Sequence, residues 1–170
     1  MDHDWHSLLF GVRRSVRYHE RRAAFFSRLD TLNGLISLSA GTSVAATAIS
    51  GHPVVAFSAG TIVALSNVIN VMIGSSRMAA LHRELRGRFI GLERQMVLSA
   101  MTAENFQRFT DERLRIESEE PPVIGALDAL CHNEEARAEG NVSCVRPVSW
   151  WQRMGSQFLD YTDKPDLHLP

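Results

Sequence analysis

The hydrophobic pattern of this chain changes abruptly in its middle. Residues 31–76 include no Asp, Glu, Lys or Arg, and this run of 46 positions is interrupted only by Ser50-Gly51-His52-Pro53. A helix needs about 20 apolar residues to cross the hydrocarbon of a bilayer. Residues 31–49 and 54–76 supply two such segments. The pattern therefore predicts a transmembrane helical hairpin with a tight turn between its two spans.

A soluble helical bundle that buries an uncharged helical pair is the alternative. The first segment is rich in Ala, Ser, Gly and Thr, which makes it only weakly hydrophobic. However, a soluble helix normally carries polar residues along its outer face, and neither segment has a charged face. The rest of the chain also has few apolar stretches with which to cover two such helices. We therefore favour the membrane hairpin and keep a soluble helical adaptor as an alternative.

Apolar residues outside this window recur at helical spacing and predict an all-α chain. Residues 4–28 form an amphipathic helix, which either lies along the lipid headgroups with Trp5 as an anchor or packs on a later cytoplasmic helix. We favour packing. After the hairpin, a seam of apolar residues predicts a long helix that packs within the chain or self-associates. The seam residues are Met78, Leu81, Leu85, Phe89, Leu92 and Met96.

Shorter cytoplasmic helices are predicted after the seam. Thr102 is placed to cap the first of them, Pro121-Pro122 stops it, and Gly140 ends the second. These helices span residues 104–119, 123–139 and 150–161. The predicted domains are a two-transmembrane domain (1–96), a cytoplasmic helical extension (97–162) and a disordered tail (163–170).

Basic residues cluster at both outer ends of the hairpin, whereas the turn carries no formal charge. Residues 1–94 hold 11 Arg against 6 acids, and residues 95–170 hold 7 basic residues against 13 acids. Basic residues near a span stay cytoplasmic, so both termini are predicted to lie in the cytoplasm, with the turn on the far side of the membrane. The basic first part also suits anionic lipids. The juxtamembrane basic residues are Arg13, Arg14, Arg17, Arg21, Arg22, Arg28, Arg77, Arg83, Arg86 and Arg88.

The second span carries small and amide side chains at helical spacing. Small residues let helices approach closely in lipid, and polar groups in hydrocarbon usually face protein or water. These residues either join the two helices of one hairpin or join several hairpins around a polar path. We favour a homo-oligomer, because one hairpin offers little protein to shelter two amides. The predicted interface and pore residues are Ala56, Gly60, Ala64, Asn67, Asn70 and Gly74.

Motifs for catalysis or cofactor binding are missing from the sequence. We find no phosphate-binding Gly-rich loop, zinc-ligand spacing or nucleophile elbow, and predict no enzyme, cofactor, metal site or nucleic-acid partner. Successive residues of Cys131-His132-Asn133-Glu134-Glu135 point in different directions on a helix, although His132 and Glu135 could supply two metal ligands. Cys131 and Cys144 are predicted to be free thiols.

The segments that flank the hairpin resemble a known family. Arg17-Tyr18-His19-Glu20-Arg21-Arg22-Ala23-Ala24-Phe25-Phe26 precedes the first span. Ser75-Ser76-Arg77-Met78-Ala79-Ala80-Leu81-His82-Arg83-Glu84-Leu85, then Arg88-Phe89 and Leu92-Glu93, follow the second span. In order and spacing these segments resemble the SLATT superfamily, the SMODS- and SLOG-associating two-transmembrane effector domains of bacterial conflict systems, over residues 5–96.

The resemblance implies a membrane effector that forms pores in the inner membrane of an infected cell or disrupts that membrane. It also implies membrane lipids and a nucleotide-signalling protein as partners. This chain departs from the family pattern because residues 97–170 show no nucleotide-making or nucleotide-sensing domain, so a trigger would arrive through the partner. A phage holin or superinfection-exclusion protein has a similar small-hairpin plan and stays an alternative.

Overall fold

The computed structural model describes residues 2–49, 51–158 and 160, with the side chains of residues 43–49 left out. Within this part the chain is all-helical and contains no strand, as the sequence predicts. The predicted disordered tail lies outside the described residues. The helices are α1 (Asp2–Ile49), α2 (Pro53–Ile73), α3 (Ser75–Leu98), α4 (Ala103–Glu117), α5 (Gly125–Ala138) and α6 (Trp150–Gly155), with a 3-10 helix at Val142–Cys144.

Glycine and proline set the boundaries of the hairpin helices. The predicted amphipathic helix and the first apolar segment form one continuous helix, α1. Pro53 opens α2, where its missing N–H group costs no helical hydrogen bond. Gly74 ends α2 with a left-handed φ of 63°, and its N–H donates to the Asn70 carbonyl at 2.9 Å. Since glycine adopts this conformation without steric cost, α3 can begin at the next residue.

Local capping also explains the later helices. The Thr102 hydroxyl accepts a hydrogen bond from the Asn105 N–H and begins α4, as predicted. Gly140 takes a φ of 75° just after α5. The aromatic helix α6 is shorter than predicted, because it ends at Gly155 rather than near residue 161. Gly155 and Ser156 are poor helix formers, which accounts for the early end.

The chain divides into two compact units whose borders fall inside α1 and α3. We call them the helical unit, Met1–Arg21 with Arg83–Pro170, and the hairpin unit, Arg22–His82. The domain boundary predicted at residue 96 stays a prediction.

Apolar residues of four helices build the core of the helical unit. Trp5 is 2% exposed and packs edge-to-face on Phe109, with 5.8 Å between the ring centroids. This contact confirms the prediction that the start of α1 packs on a later helix, so Trp5 is not available as a lipid anchor. Other core residues are Leu8, Val12, Ile116, Leu127, Leu130, Cys131 and Ala136.

The predicted seam is partly buried by the chain itself. Met78 and Leu81 are only half-buried, whereas their neighbours Ala79 and His82 are buried. The four buried seam residues are Leu85, Phe89, Leu92 and Met96. Packing within the chain accounts for this burial, and self-association through the same four residues would require them to leave the core.

Two buried histidines have structural contacts with aromatic rings. The His19 ring stacks on Phe89 at 5.5 Å, and its Nε2 lies 3.1 Å from Glu120 Oε1. The His82 ring stacks on Phe26 at 5.7 Å within the hairpin unit. His19 therefore meets a carboxylate 101 positions away rather than that of the adjacent Glu20.

Candidate functional site

Six polar side chains form a ladder between α1 and α2 in the hairpin unit. Asn67 Oδ1 accepts hydrogen bonds from Asn33 Nδ2 at 3.1 Å and from Ser37 Oγ at 2.9 Å. Ser66 Oγ donates to Asn33 Oδ1 at 2.7 Å. Asn70 Nδ2 donates to Asp30 Oδ1 at 3.4 Å, a longer contact. We call these residues (Asp30, Asn33, Ser37, Ser66, Asn67 and Asn70) the polar ladder.

Small apolar residues continue the contact face of the hairpin toward its turn. Ala40 on α1 and Ala56, Ala59, Gly60 and Val63 on α2 are half-buried. No described atom lies within 4 Å of the place where a Gly60 Cβ would be. The half-buried face thus carries polar groups at the end near the charged flanks and small residues nearer the turn, with room for an added methyl group at Gly60.

The outer surface of the hairpin is apolar and exposed. No residue of α2 is buried. Among the described residues, the helical stretch Pro53–Leu98 is long and apolar enough to cross a membrane, and none of its most apolar window is buried. The exposed apolar residues of both helices are Leu32, Leu35, Leu38, Val54, Val55, Phe57, Ile62, Leu65, Val68, Ile69, Val71, Met72 and Ile73. The hairpin therefore keeps its amide side chains between the helices, and its outer surface is mostly apolar. The exposed hydroxyls of Ser39, Ser58 and Thr61 donate to backbone carbonyls of their own helix.

The predicted interface residues divide between these two faces. Ala56, Gly60, Asn67 and Asn70 lie on the contact face, whereas Ala64 is exposed on the outer face. The contact face passes from Gly60 to Val63 and Asn67, so Ala64 lies outside it; the role of the small residues in an oligomer stays a prediction. The amides also find partners within a single hairpin, which removes the reason for which we required other copies to shelter them.

Sequence analysis missed the partners of these amides on the first span. Asp30, Asn33 and Ser37 are spaced by three and four positions, so they share one face of α1. The same periodicity places Ser66, Asn67 and Asn70 on one face of α2. Matching the two polar stripes would have identified the ladder from the sequence.

Six of the predicted juxtamembrane arginines form ion pairs inside the helical unit. These arginines are paired with acids of α1, α3, α5 and the turn after α4. The pairs are Arg13–Glu93, Arg14–Asp128, Arg17–Glu135, Arg21–Glu134, Arg86–Glu20 and Arg88–Glu119.

Two of these ion pairs change the pKa of side chains that form them. Glu135 is 3% exposed, and its hydrogen bond raises the pKa of Arg17. The Arg88 guanidinium donates to both Glu119 oxygens, at 2.6 and 2.9 Å, and holds the pKa of that carboxyl below its usual range. The Arg17, Arg88 and Glu119 side chains are therefore charged at neutral pH.

The remaining predicted basic residues lie close to the hairpin in sequence. The Arg22 guanidinium lies over the Phe26 ring at 4.5 Å, a cation–π contact. Arg28, Arg77 and Arg83 are exposed, and none forms an ion pair with another described residue. Arg28 and Arg77 belong to the hairpin unit and flank the charge-free window.

The Cys131–Glu135 segment does not converge on a metal site. His132 Nε2 lies 3.1 Å from the Cys144 carbonyl oxygen, and burial lowers the pKa of its imidazole. Glu135 faces Arg17 instead. In the described part of the chain, no group of three or more His, Cys, Asp or Glu could hold a metal ion. Burial raises the pKa of the Cys131 thiol to about 12, whereas Cys144 is exposed.

No protein-family model, curated protein or solved structure matches this chain. The all-helical fold and the apolar helix of membrane-spanning length are properties of this structure.

Proposed function

We propose that this chain is a bacterial inner-membrane protein, anchored by the hairpin, and that its copies assemble into an effector that permeabilises the membrane. The observation that carries the membrane anchoring is the reversed polarity of the hairpin unit. Its polar ladder lies between the helices, and its outer surface is mostly apolar. Assembly and permeabilisation are proposed from the resemblance of the flanking segments to two-transmembrane effectors.

The energy of the exposed apolar surface favours insertion. Full burial of one large aliphatic or aromatic side chain stabilises a protein by about 1.5–3 kcal/mol. Side chains such as Phe57, Val71 and Met72, which are 78–81% exposed, make no such contribution in water. Hydrocarbon would cover the outer surface without requiring any change in the hairpin.

The polar ladder removes most of the cost of inserting amides and hydroxyls. An unpaired amide in hydrocarbon costs several kcal/mol, about the energy of a lost hydrogen bond in an apolar medium. Both polar atoms of the Asn33 amide and the Asn67 Oδ1 are hydrogen-bonded within the hairpin, so they enter the bilayer already paired. This pairing supports the hairpin as a membrane unit even before it oligomerises.

Charge supports an orientation with both termini in the cytoplasm. Arg28 and Arg77 flank the two outer ends of the hairpin, whereas Gly51, His52 and Pro53 at the turn carry no formal charge. The exposed arginines remain with the cytoplasmic headgroups, and the turn crosses to the other side.

We further propose that the ladder is the element that changes when the assembly conducts. In a closed hairpin, Asn67 Oδ1 accepts hydrogen bonds from Asn33 and Ser37. In an open assembly, the same groups would face a water-filled path and bind water instead. Because one set of hydrogen bonds replaces another, the free-energy difference between the states is small. A nucleotide-signalling partner could therefore shift the balance through modest contacts with the helical unit.

Membrane fractionation with a potential-sensitive dye tests the proposal. Tagged protein in bacterial cells should stay with the inner membrane after a carbonate wash, and its expression should depolarise the cells. Ile62→Arg places a charge on the outer surface near the centre of α2, where insertion costs about 2.5–3.5 kcal/mol. Ile62→Leu is the matched control and should behave as wild type.

The two readouts separate the parts of the proposal. Release of the wild-type protein by carbonate would contradict membrane anchoring. Retention without depolarisation would contradict the permeabilising role and leave the anchoring intact.

A further inference from the structure

The helix α6 presents its large apolar side chains outward and its small residues inward. Trp150, Trp151 and Met154 are 56%, 64% and 66% exposed, whereas Ser156, just after the helix, is 4% exposed. The two tryptophan rings stack on each other with 3.8 Å between centroids. A helix covered by water on this side would normally show the opposite arrangement, so the outward face is suited to an apolar environment.

Hydrogen bonds hold α6 in this orientation from both sides. Before the helix, the buried Asn133 side chain binds the N–H and the carbonyl of Arg146, both at 2.7 Å. After it, the Asp160 carboxylate accepts from the Gly125 N–H at 2.9 Å. The Ser149–Gln152 capping box fixes the first turn. Since these contacts anchor the segment to α5, the exposure of the tryptophans is a property of the packed fold.

The charge of this segment differs from that of the surrounding sequence. Residues 95–170 carry a net negative charge, yet residues 140–159 contain two arginines and no acid. Arg146 and Arg153 are exposed, and neither forms an ion pair with another described residue. The segment therefore combines exposed cations with exposed aromatic rings.

We propose that Trp150, Trp151 and Met154, with Arg146 and Arg153, form a peripheral membrane-binding surface that takes the anionic lipid headgroups of a bilayer. Tryptophan prefers the boundary between hydrocarbon and headgroups, and exposed basic residues are attracted to anionic lipids. A short aromatic helix with a basic polar side can lie in this layer without crossing it. The proposal rests on the proposed function only in that the hairpin brings the chain to a bilayer.

Quenching by brominated lipids tests this surface in the full chain. The protein is reconstituted into vesicles with brominated acyl chains, made of phosphatidylcholine alone or with one third phosphatidylglycerol. Of the three tryptophans, Trp5 is buried in the helical core and supplies a constant background. We expect brominated anionic vesicles to quench about half or more of the emission of Trp150 and Trp151, with weaker quenching in neutral vesicles.

Two variants make the result specific. The double variant W150S/W151S should lose the quenching while keeping its helical circular dichroism, because both side chains are exposed. The double variant R146Q/R153Q should keep the tryptophans but bring the anionic-to-neutral quenching ratio close to one. Equal fractional quenching of wild type and W150S/W151S would overturn the proposal.

Cross-linking and a carbonate wash distinguish this lipid-binding surface from a contact with a second copy and from anchoring by the hairpin. Cys144 is exposed on the same segment, so cross-linking between Cys144 residues without lipid quenching would assign the surface to a second copy and overturn the proposal. Retention after carbonate without quenching would overturn the surface and leave the proposed function intact. Release by carbonate of protein that was quenched at neutral pH would overturn the anchoring hairpin and leave the surface intact.

Discussion

Arg17 and Glu135 are 118 positions apart in the chain, and their side chains meet at 2.6 Å. Arg17 lies in α1 and Glu135 in α5, so this contact joins the first and the fifth helix within the helical unit. The carboxylate is 3% exposed, whereas the arginine side chain is 38% exposed. The pair is thus an asymmetric one, in which a buried anion depends on a cation that water can reach.

Removing the cation of this pair should be clearly destabilising. Arg17→Gln leaves the Glu135 carboxylate buried without its partner, and we expect a loss of about 2 kcal/mol, less than for a fully buried pair. The melting temperature should fall by about 4–8 °C in thermal unfolding of the detergent-solubilised chain. Arg115→Gln is the control, because its pair with Glu112 is exposed and is screened by solvent, so its loss should shift the melting temperature much less. Equal shifts for both variants would show that the burial of Glu135 has no energetic consequence.

Two glycines of the hairpin should respond to alanine in opposite directions. Neither Gly60 nor Gly74 has a described atom within 4 Å of the Cβ position, so the added methyl group meets open space in both. Gly74 has a φ of 63°, where a side chain costs about 1–2 kcal/mol. Gly60 lies inside α2, where alanine stabilises the helix by about 0.5–1 kcal/mol relative to glycine. Thermal unfolding in detergent measures the melting temperatures of Gly60→Ala and Gly74→Ala. Melting temperatures that shift in the same direction would contradict this account.

Loss of the shared acceptor in the polar ladder should loosen the hairpin. Asn67→Ala leaves Asn33 Nδ2 and Ser37 Oγ without their acceptor. Since interhelical hydrogen bonds in membranes contribute about 0.6 kcal/mol on average, the loss of two should cost about 1 kcal/mol. Titration with sodium dodecyl sulfate, followed by circular dichroism, measures the change. Val68→Ala alters the exposed neighbour and should leave the midpoint unchanged; a shift as large as that of Asn67→Ala would argue against the ladder.

The two cysteines should differ strongly in reactivity. The Cys131 thiol is buried with a pKa of about 12, so almost no thiolate exists at neutral pH. Cys144 is exposed. A maleimide at pH 7 should label Cys144 at least about a hundredfold faster than Cys131. The variant Cys144→Ser should react only after unfolding, and rapid labelling of that variant in its folded state would show that Cys131 is accessible.

Helix boundaries could be predicted from the sequence because their causes are local. Thr102 caps α4 through an N–H three residues away, and Pro53 opens α2 wherever the helix packs. The aromatic pattern predicts that α6 extends to residue 161, but the helix ends at Gly155, because Gly155 and Ser156 have weak helix propensity. Of the site, Asn67 and Asn70 follow from the sequence of α2, but their partners on α1 do not, because those contacts join positions 30–40 residues apart.

The charge-free run of residues 31–76 and the flanking periodicity by themselves determined an all-helical chain with an apolar hairpin, since both are properties of neighbouring residues. Only the tertiary structure decided which way each residue faces and what it meets. It paired Arg17 with Glu135, turned Asn67 toward Asn33, left Ala64 outside and exposed Trp150. These outcomes depend on how helices pack across many positions in sequence, and helical periodicity alone does not specify that packing.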